Sequence, residues 1–137
     1  IDAIGNAFIL VGAAKSSFTV TGQYLGEPAA VESVGYFAVD GTALFSASGG
    51  AYGTTYTTGD VIGVAINFTT GKIWFSKNNT WQNSGDPVAG TGQAWAGITG
   101  EYFPALSMFT NTYQVTGRFK ASSFTYSPPI GFSAWES

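Results

Sequence analysis

The 137 residues suffice for about one domain, and a chain of this size buries roughly two-thirds of its unfolded surface. Apolar residues make up 45% and aromatics 16%, against 9% charged, which is the opposite of a disordered chain. A net charge of −3, with only Lys15, Lys72, Lys77, Arg118 and Lys120 basic, argues against nucleic acid, which needs clustered cations to neutralise phosphates.

Cysteine is absent, so neither a disulfide framework nor a thiolate metal site is available. Histidine is absent too, which removes the commonest metal ligand, the usual general base and an imidazole pH switch together. No cofactor and no metal are therefore expected. The longest apolar run, 7–14, is far short of the about 20 residues that cross a bilayer, so no membrane insertion is expected. A basic segment followed by an apolar one is missing at the N-terminus, so no signal peptide is visible. The chain opens at Ile1-Asp2 without Met, and a single domain over 1–137, cut from a larger protein, is the expectation.

In chain order, strands are expected over 8–11, 17–21, 36–39 and 43–46, with Asp40-Gly41 turning between the last two. A Gly/Tyr/Thr-rich loop, 48–58, follows. Residues 61–68 are apolar or small except Asn67, as in a strand covered on both faces. Thr69-Thr70-Gly71 turns into a second strand, 72–77, that carries Ile73, Trp74 and Phe75. Asn78-Asn79 marks another tight turn, because Asn tolerates positive φ. A long loop with Trp81 and Trp95 occupies 80–100, and strands resume at 102–108 and 115–119. Nothing resembles a long amphipathic helix. Many short strands with regular turns point to an all-β, two-sheet antiparallel sandwich.

Several segments together resemble the SPRY (B30.2-like) family. They are Tyr36-Phe37 with Asp40-Gly41, then Gly59-Asp60-Val61-Ile62-Gly63-Val64, then Gly71-Lys72-Ile73-Trp74-Phe75-Ser76-Lys77-Asn78. Tyr102-Phe103-Pro104-Ala105-Leu106-Ser107, Phe119, Phe124 and Pro129-Ile130-Gly131-Phe132 complete the set. The Tyr/Thr-rich loop before Gly59 and the Ser-Pro-Pro-Ile-Gly-Phe ending are similar to SPRY domains of phage tail or particle-associated proteins and their bacterial relatives. The resemblance implies a concanavalin-like sandwich, a non-enzymatic binding role and recognition through loops at one rim. Three departures stand out. The family's opening aromatic strand is missing, with Ile1-Asp2 looking like its tail. Its Asn-Gly turn is Asn78-Asn79 here, and its late Asn-Phe-Gly is Arg118-Phe119-Lys120. A sandwich short of a strand exposes a backbone edge, which invites pairing with another segment or chain.

Catalytic signals are weak. The acids Asp2, Glu27, Glu32, Asp40, Asp60, Asp86, Glu101 and Glu136 are scattered, without the paired spacing a glycosidase strand would carry. No Gly-x-Ser-x-Gly elbow and no phosphate-binding Gly-Lys-Ser/Thr ending occurs. Trp74 and Phe75 adjoin on one strand and so face opposite sides. Tyr52, Tyr56, Trp81, Trp95 and Tyr113 fall in predicted loops. Each either plugs an end of the sandwich or anchors a ligand, since a ring offers large area with little entropy to lose. The triplets at Asn67 and Asn78 match a glycosylation sequon but are common by chance.

The expected function is a recognition or structural module of a phage particle or bacterial surface assembly. It would sit at a virion or cell surface, the cytoplasm being equally compatible with the lack of cysteine. Its partner would be a host glycan, a surface protein or a neighbouring subunit, within a homo-oligomeric assembly. A lectin- or glycosidase-type sandwich and a purely architectural subunit are the alternatives.

Overall fold

The structure, a computed structural model, describes residues 8–19, 21–27, 33–110 and 112–135. The strand tail expected at Ile1-Asp2, and the acids Asp2, Glu32 and Glu136, lie outside these residues. Among the described residues eight strands form: β1 (Ile9–Ala14), β2 (Ser33–Phe37), β3 (Thr42–Phe45), β4 (Ser48–Ala51), β5 (Ile62–Asn67), β6 (Lys72–Lys77), β7 (Thr80–Trp81) and β8 (Phe103–Met108). They make two antiparallel sheets, one of order β4-β3-β2-β1-β8 and one of order β5-β6-β7. The all-β sandwich expected from the sequence is the fold observed. Among the described residues no helix is long and apolar enough to cross a membrane.

Alternation decides what each sheet contributes to the core. Directly opposed residues share a face. Ile9 and Ala13 of β1, Val34 and Tyr36 of β2, Ala43 of β3, and Ile73 and Phe75 of β6 therefore meet between the sheets. Tyr36 stacks on Phe75 across the interface, ring centroids 5.4 Å apart. A second cluster covers the outer face of the larger sheet, where Leu10, Ala14 and Phe37 pack with Leu25 from loop 15–27. That loop approaches closely because β2 has Gly35 beneath Leu25, where an added Cβ would lie 2.8 Å from the Leu25 Cβ.

Four expectations need correction. Residues 17–21 form no strand among those described; Phe18, Tyr24 and Leu25 of this loop instead lie over the outer face. Residues 115–119 form none either, since only Val115 reaches the core while Thr116, Gly117 and Arg118 face solvent. The apolar β5 is not covered on both faces: it is the edge of its sheet, and only Ala65 is buried. The covered strand is β6, at the centre, where Ile73, Trp74, Phe75 and Ser76 are all buried. Trp74 and Phe75 face opposite sides as alternation requires. Trp74 is buried outward because loop 85–95 and the Phe132 ring lie over it, its indole N–H donating to the Thr91 carbonyl at 2.7 Å. Finally, loop 48–58 begins with a strand, β4, and loop 80–100 with β7 and a short 3-10 turn, Gln82–Ser84.

Candidate recognition site

A groove of about 420 Å³ opens at one rim, between Thr54 on one wall and Lys77, Asn78 and residues 80–83 on the other. Its shape follows from local backbone chemistry. Asn78 and Asn79 take φ of 48° and 67°, closing the two-residue turn between β6 and β7, as the sequence predicts. Asn83 and Ser84 are also left-handed, at 54° and 50°. Four of the six non-glycine residues with positive φ among the described residues thus crowd into one short segment. Such clusters persist where surrounding bonds over-determine the backbone, and they concentrate at functional loops.

Those bonds are present. The Gln82 amide is buried and accepts from the Thr54 amide at 2.9 Å and the Thr54 hydroxyl at 3.2 Å, while donating to the Thr80 carbonyl at 2.8 Å. The Tyr36 hydroxyl donates to the Thr54 carbonyl from below. Lys77 donates to the Thr55 carbonyl at 2.7 Å and pairs with Asp60 at 3.3 Å. Asn78 accepts from the Val61 amide at 2.8 Å and donates to Asp60 at 2.7 Å. Burial works against ionising Asp60, but the Thr57 amide, Asn78 and Lys77 outweigh it and hold the carboxyl below its ordinary value. Both walls are therefore cross-tied before any ligand arrives. The lining offers one indole, amides, hydroxyls and an ammonium already paired, and no carboxylate. That set can donate hydrogen bonds to, and accept them from, polar backbone and side-chain groups.

The five aromatic candidates do not converge. Trp81, opposed to Ser76 and so on the outer face of the small sheet, lines the groove. Trp95 bridges Ile73 on the inner face and stacks on Phe45 of the other sheet at 5.5 Å. Two rings on opposite faces cannot grip one ligand. Tyr52 and Tyr56, named as candidate ligand anchors, are buried core residues, the plugging alternative of the two. Tyr52 accepts from the Phe75 amide at 3.2 Å, and Tyr56 donates to the Tyr36 carbonyl at 2.6 Å. Backbone partners for the hydroxyls are what make this burial possible. Tyr113 is half-buried against the core. Thr54, Lys77, Gln82 and Asn83 escaped the sequence reading; the one signal near them was the Asn78-Asn79 turn. Both sequon asparagines are used internally, Asn67 accepting from the Thr69 and Thr70 amides, each at 3.0 Å.

A second cleft of about 470 Å³ lies between loop 15–27 and the β3–β4 hairpin, and Glu27 is the single acid in its lining. Among the described residues no group of three acids gathers as a metal site.

A family model for the SPRY domain matches residues 5–119. The chain is 29% identical over 96 residues, 69% of its length, to a Ran-binding proteins 9/10 homolog of Drosophila melanogaster. It is 29% identical over 85 residues, 62% of its length, to the dual specificity protein kinase splA of Dictyostelium discoideum. The matches take in 9% and 3% of those two proteins. A crystal structure of a human SPRY domain superposes with a TM-score of 0.51 at 24% identity, over 72% of this chain and 59% of that one, which is a likeness of fold. SPRY domains are protein-interaction modules and in general non-catalytic. With its sandwich and its sequence in agreement, the chain belongs to the SPRY domain family.

Proposed function

We propose that this domain binds a protein partner by seating an extended, polar segment of it in the rim groove beside Trp81. The observation that carries the reading is the cross-tying of the groove by Gln82 and Lys77, which fixes the indole and the left-handed Asn residues in place. A pre-tied groove loses little entropy on binding, so a short contact gives useful affinity. Trp81 supplies the apolar anchor, and the neighbouring amides satisfy the backbone of the bound segment.

The test is selection of a random peptide library on the purified chain, followed by binding isotherms with Trp81→Ala. Recovered peptides converging on one motif, bound roughly tenfold or more weakly by the variant, support the reading. Convergent peptides that ignore Trp81→Ala refute it. Trp95→Ala serves as the contrast, lowering thermal stability and sparing affinity. The finer setting, a phage particle or bacterial surface with a glycan ligand, rests on the resemblance of the Tyr/Thr-rich loop and the closing motif. A glycan array run beside the library separates the two kinds of ligand.

A further inference from the structure

Outside the groove, β8 is an edge strand that is apolar as well as exposed. Among the described residues it ends the larger sheet, pairing with β1 alone, and it reads Phe-Pro-Ala-Leu-Ser-Met without a charge. All six positions are exposed or half-exposed. The ladder reveals which backbone groups face outward. The Phe109 amide donates to the Phe8 carbonyl at 3.2 Å, one step beyond the Ile9–Met108 pair. Bonded and non-bonded pairs alternate in an antiparallel ladder. Ser107, Ala105 and Phe103 therefore bond to β1, while Met108, Leu106 and Pro104 turn their backbone groups to the open edge. Pro104 has no N–H there, but Leu106 and Met108 offer both a donor and an acceptor.

Side chains repeat the pattern. Leu106 and Met108, opposed to Val11 and Ile9, continue the inner face yet are 40% and 44% exposed. On the outer face Phe103 is 45% exposed, and beyond the strand Phe109 is 74% exposed with its ring on Phe8. Natural edge strands are guarded by charge, proline or bulges; this one has Pro104 near its start, but from Ala105 to Met108 it carries no charge, no proline and no bulge between its ladder pairs with β1.

We propose that β8 pairs with β8 of a second copy, antiparallel about a two-fold axis through Ser107, so that the two five-stranded sheets become one. This register is self-complementary. Leu106 falls opposite Met108 of the second copy, and all four outward groups of the two residues are bonded on each chain. The same pairing joins their apolar side chains into one inner-face row. On the outer face the large Phe109 falls beside the small Ala105 of the other chain. Pro104, without a donor, falls at the margin opposite Thr110. Two chains each carrying −3 can meet here because the strand holds no acid. The pairing closes at two, since each chain uses the same edge.

Sedimentation equilibrium of the full chain should show the mass rising from 14.3 kDa toward twice that value with concentration. Leu106→Lys/Met108→Lys and Leu106→Glu/Met108→Glu should each lose that rise while keeping their circular dichroism, and an equal mixture should regain it. Cysteine is absent from the native chain, so a second measurement stands without those variants. Opposed non-bonded residues have Cα atoms about 4.5 Å apart, within reach of a disulfide. Ser107→Cys should give a covalent dimer on mild oxidation, and Ala105→Cys, opposed to Phe109, should not. A native chain that stays monomeric, grows past the dimer, or links through Ala105→Cys as readily as through Ser107→Cys overturns the proposal.

Discussion

Gln82 shows how one side chain joins two loops that are distant in sequence. Its amide satisfies Thr54 on one wall and Thr80 on the other from a buried position. Gln82→Leu keeps the bulk but leaves the Thr54 amide without this acceptor. We expect a loss of about 1–3 kcal/mol in urea unfolding and faster hydrogen exchange at Thr54. Asp60 acts through charge. Its folded carboxyl titrates below the ordinary 3.8, so its stabilisation is fully present above that value and is lost as pH falls through the lower folded one. Urea midpoints measured from about pH 6 to about pH 2 should decline at the acid end, and Asp60→Asn should flatten part of that decline.

At the scale of elements, turns carry the clearest consequences. The β3–β4 hairpin closes through Ser46 and Ala47 at φ of 51° and 57°, a two-residue turn made without glycine or asparagine. A left-handed alanine costs about 1 kcal/mol, and the Ala47 bond to the Gly26 carbonyl, at 2.8 Å, uses only backbone. Ala47→Gly should therefore raise stability by about 0.5–1 kcal/mol, read as a higher melting temperature. Element identity was legible for β6, with Gly71 before it and Asn78 after it, but not for the β-rich runs 17–21 and 115–119, which form no strand among the described residues. The rank of a strand within its sheet was not legible. The apolar run of β5 read as central, yet it forms an edge, and β6, of the same length, has both faces buried. Periodicity reports how apolar a strand is; its neighbours are set by chain segments far away.

Across the whole molecule, the core is distinguished by three tyrosines. Tyr36, Tyr52 and Tyr56 gather with Phe75, the Tyr36 ring 5.9 Å from Tyr52 and 5.0 Å from Tyr56. Burial raises all three hydroxyls above the ordinary 10.0, Tyr36 being pushed up to about 12. A raised folded pKa means stability that is complete below about 10 and is lost as pH climbs toward the folded value. Thermal melts between about pH 9 and about pH 12 should show a steep decline, with the share of phenolate absorbance that Tyr36, Tyr52 and Tyr56 contribute appearing together with unfolding rather than before it.

The sequence by itself determined the class of fold, the family and the tight turns that carry glycine or asparagine, because alternation, glycine and asparagine act within a few residues. It also narrowed the chemistry, since a chain without histidine or cysteine lacks the side chains that most often ligate metals and relay protons. Only the tertiary structure decided which rings are free. Tyr52 and Tyr56 sit in segments that read as loops, yet their hydroxyls meet backbone groups of other strands and sink into the core. Trp81 and Trp95, alike in sequence context, end on opposite faces of one sheet because Trp81 opposes Ser76 and Trp95 opposes Ile73. Pairing register is a contact between remote segments, and on a strand a shift of one residue exchanges the two faces.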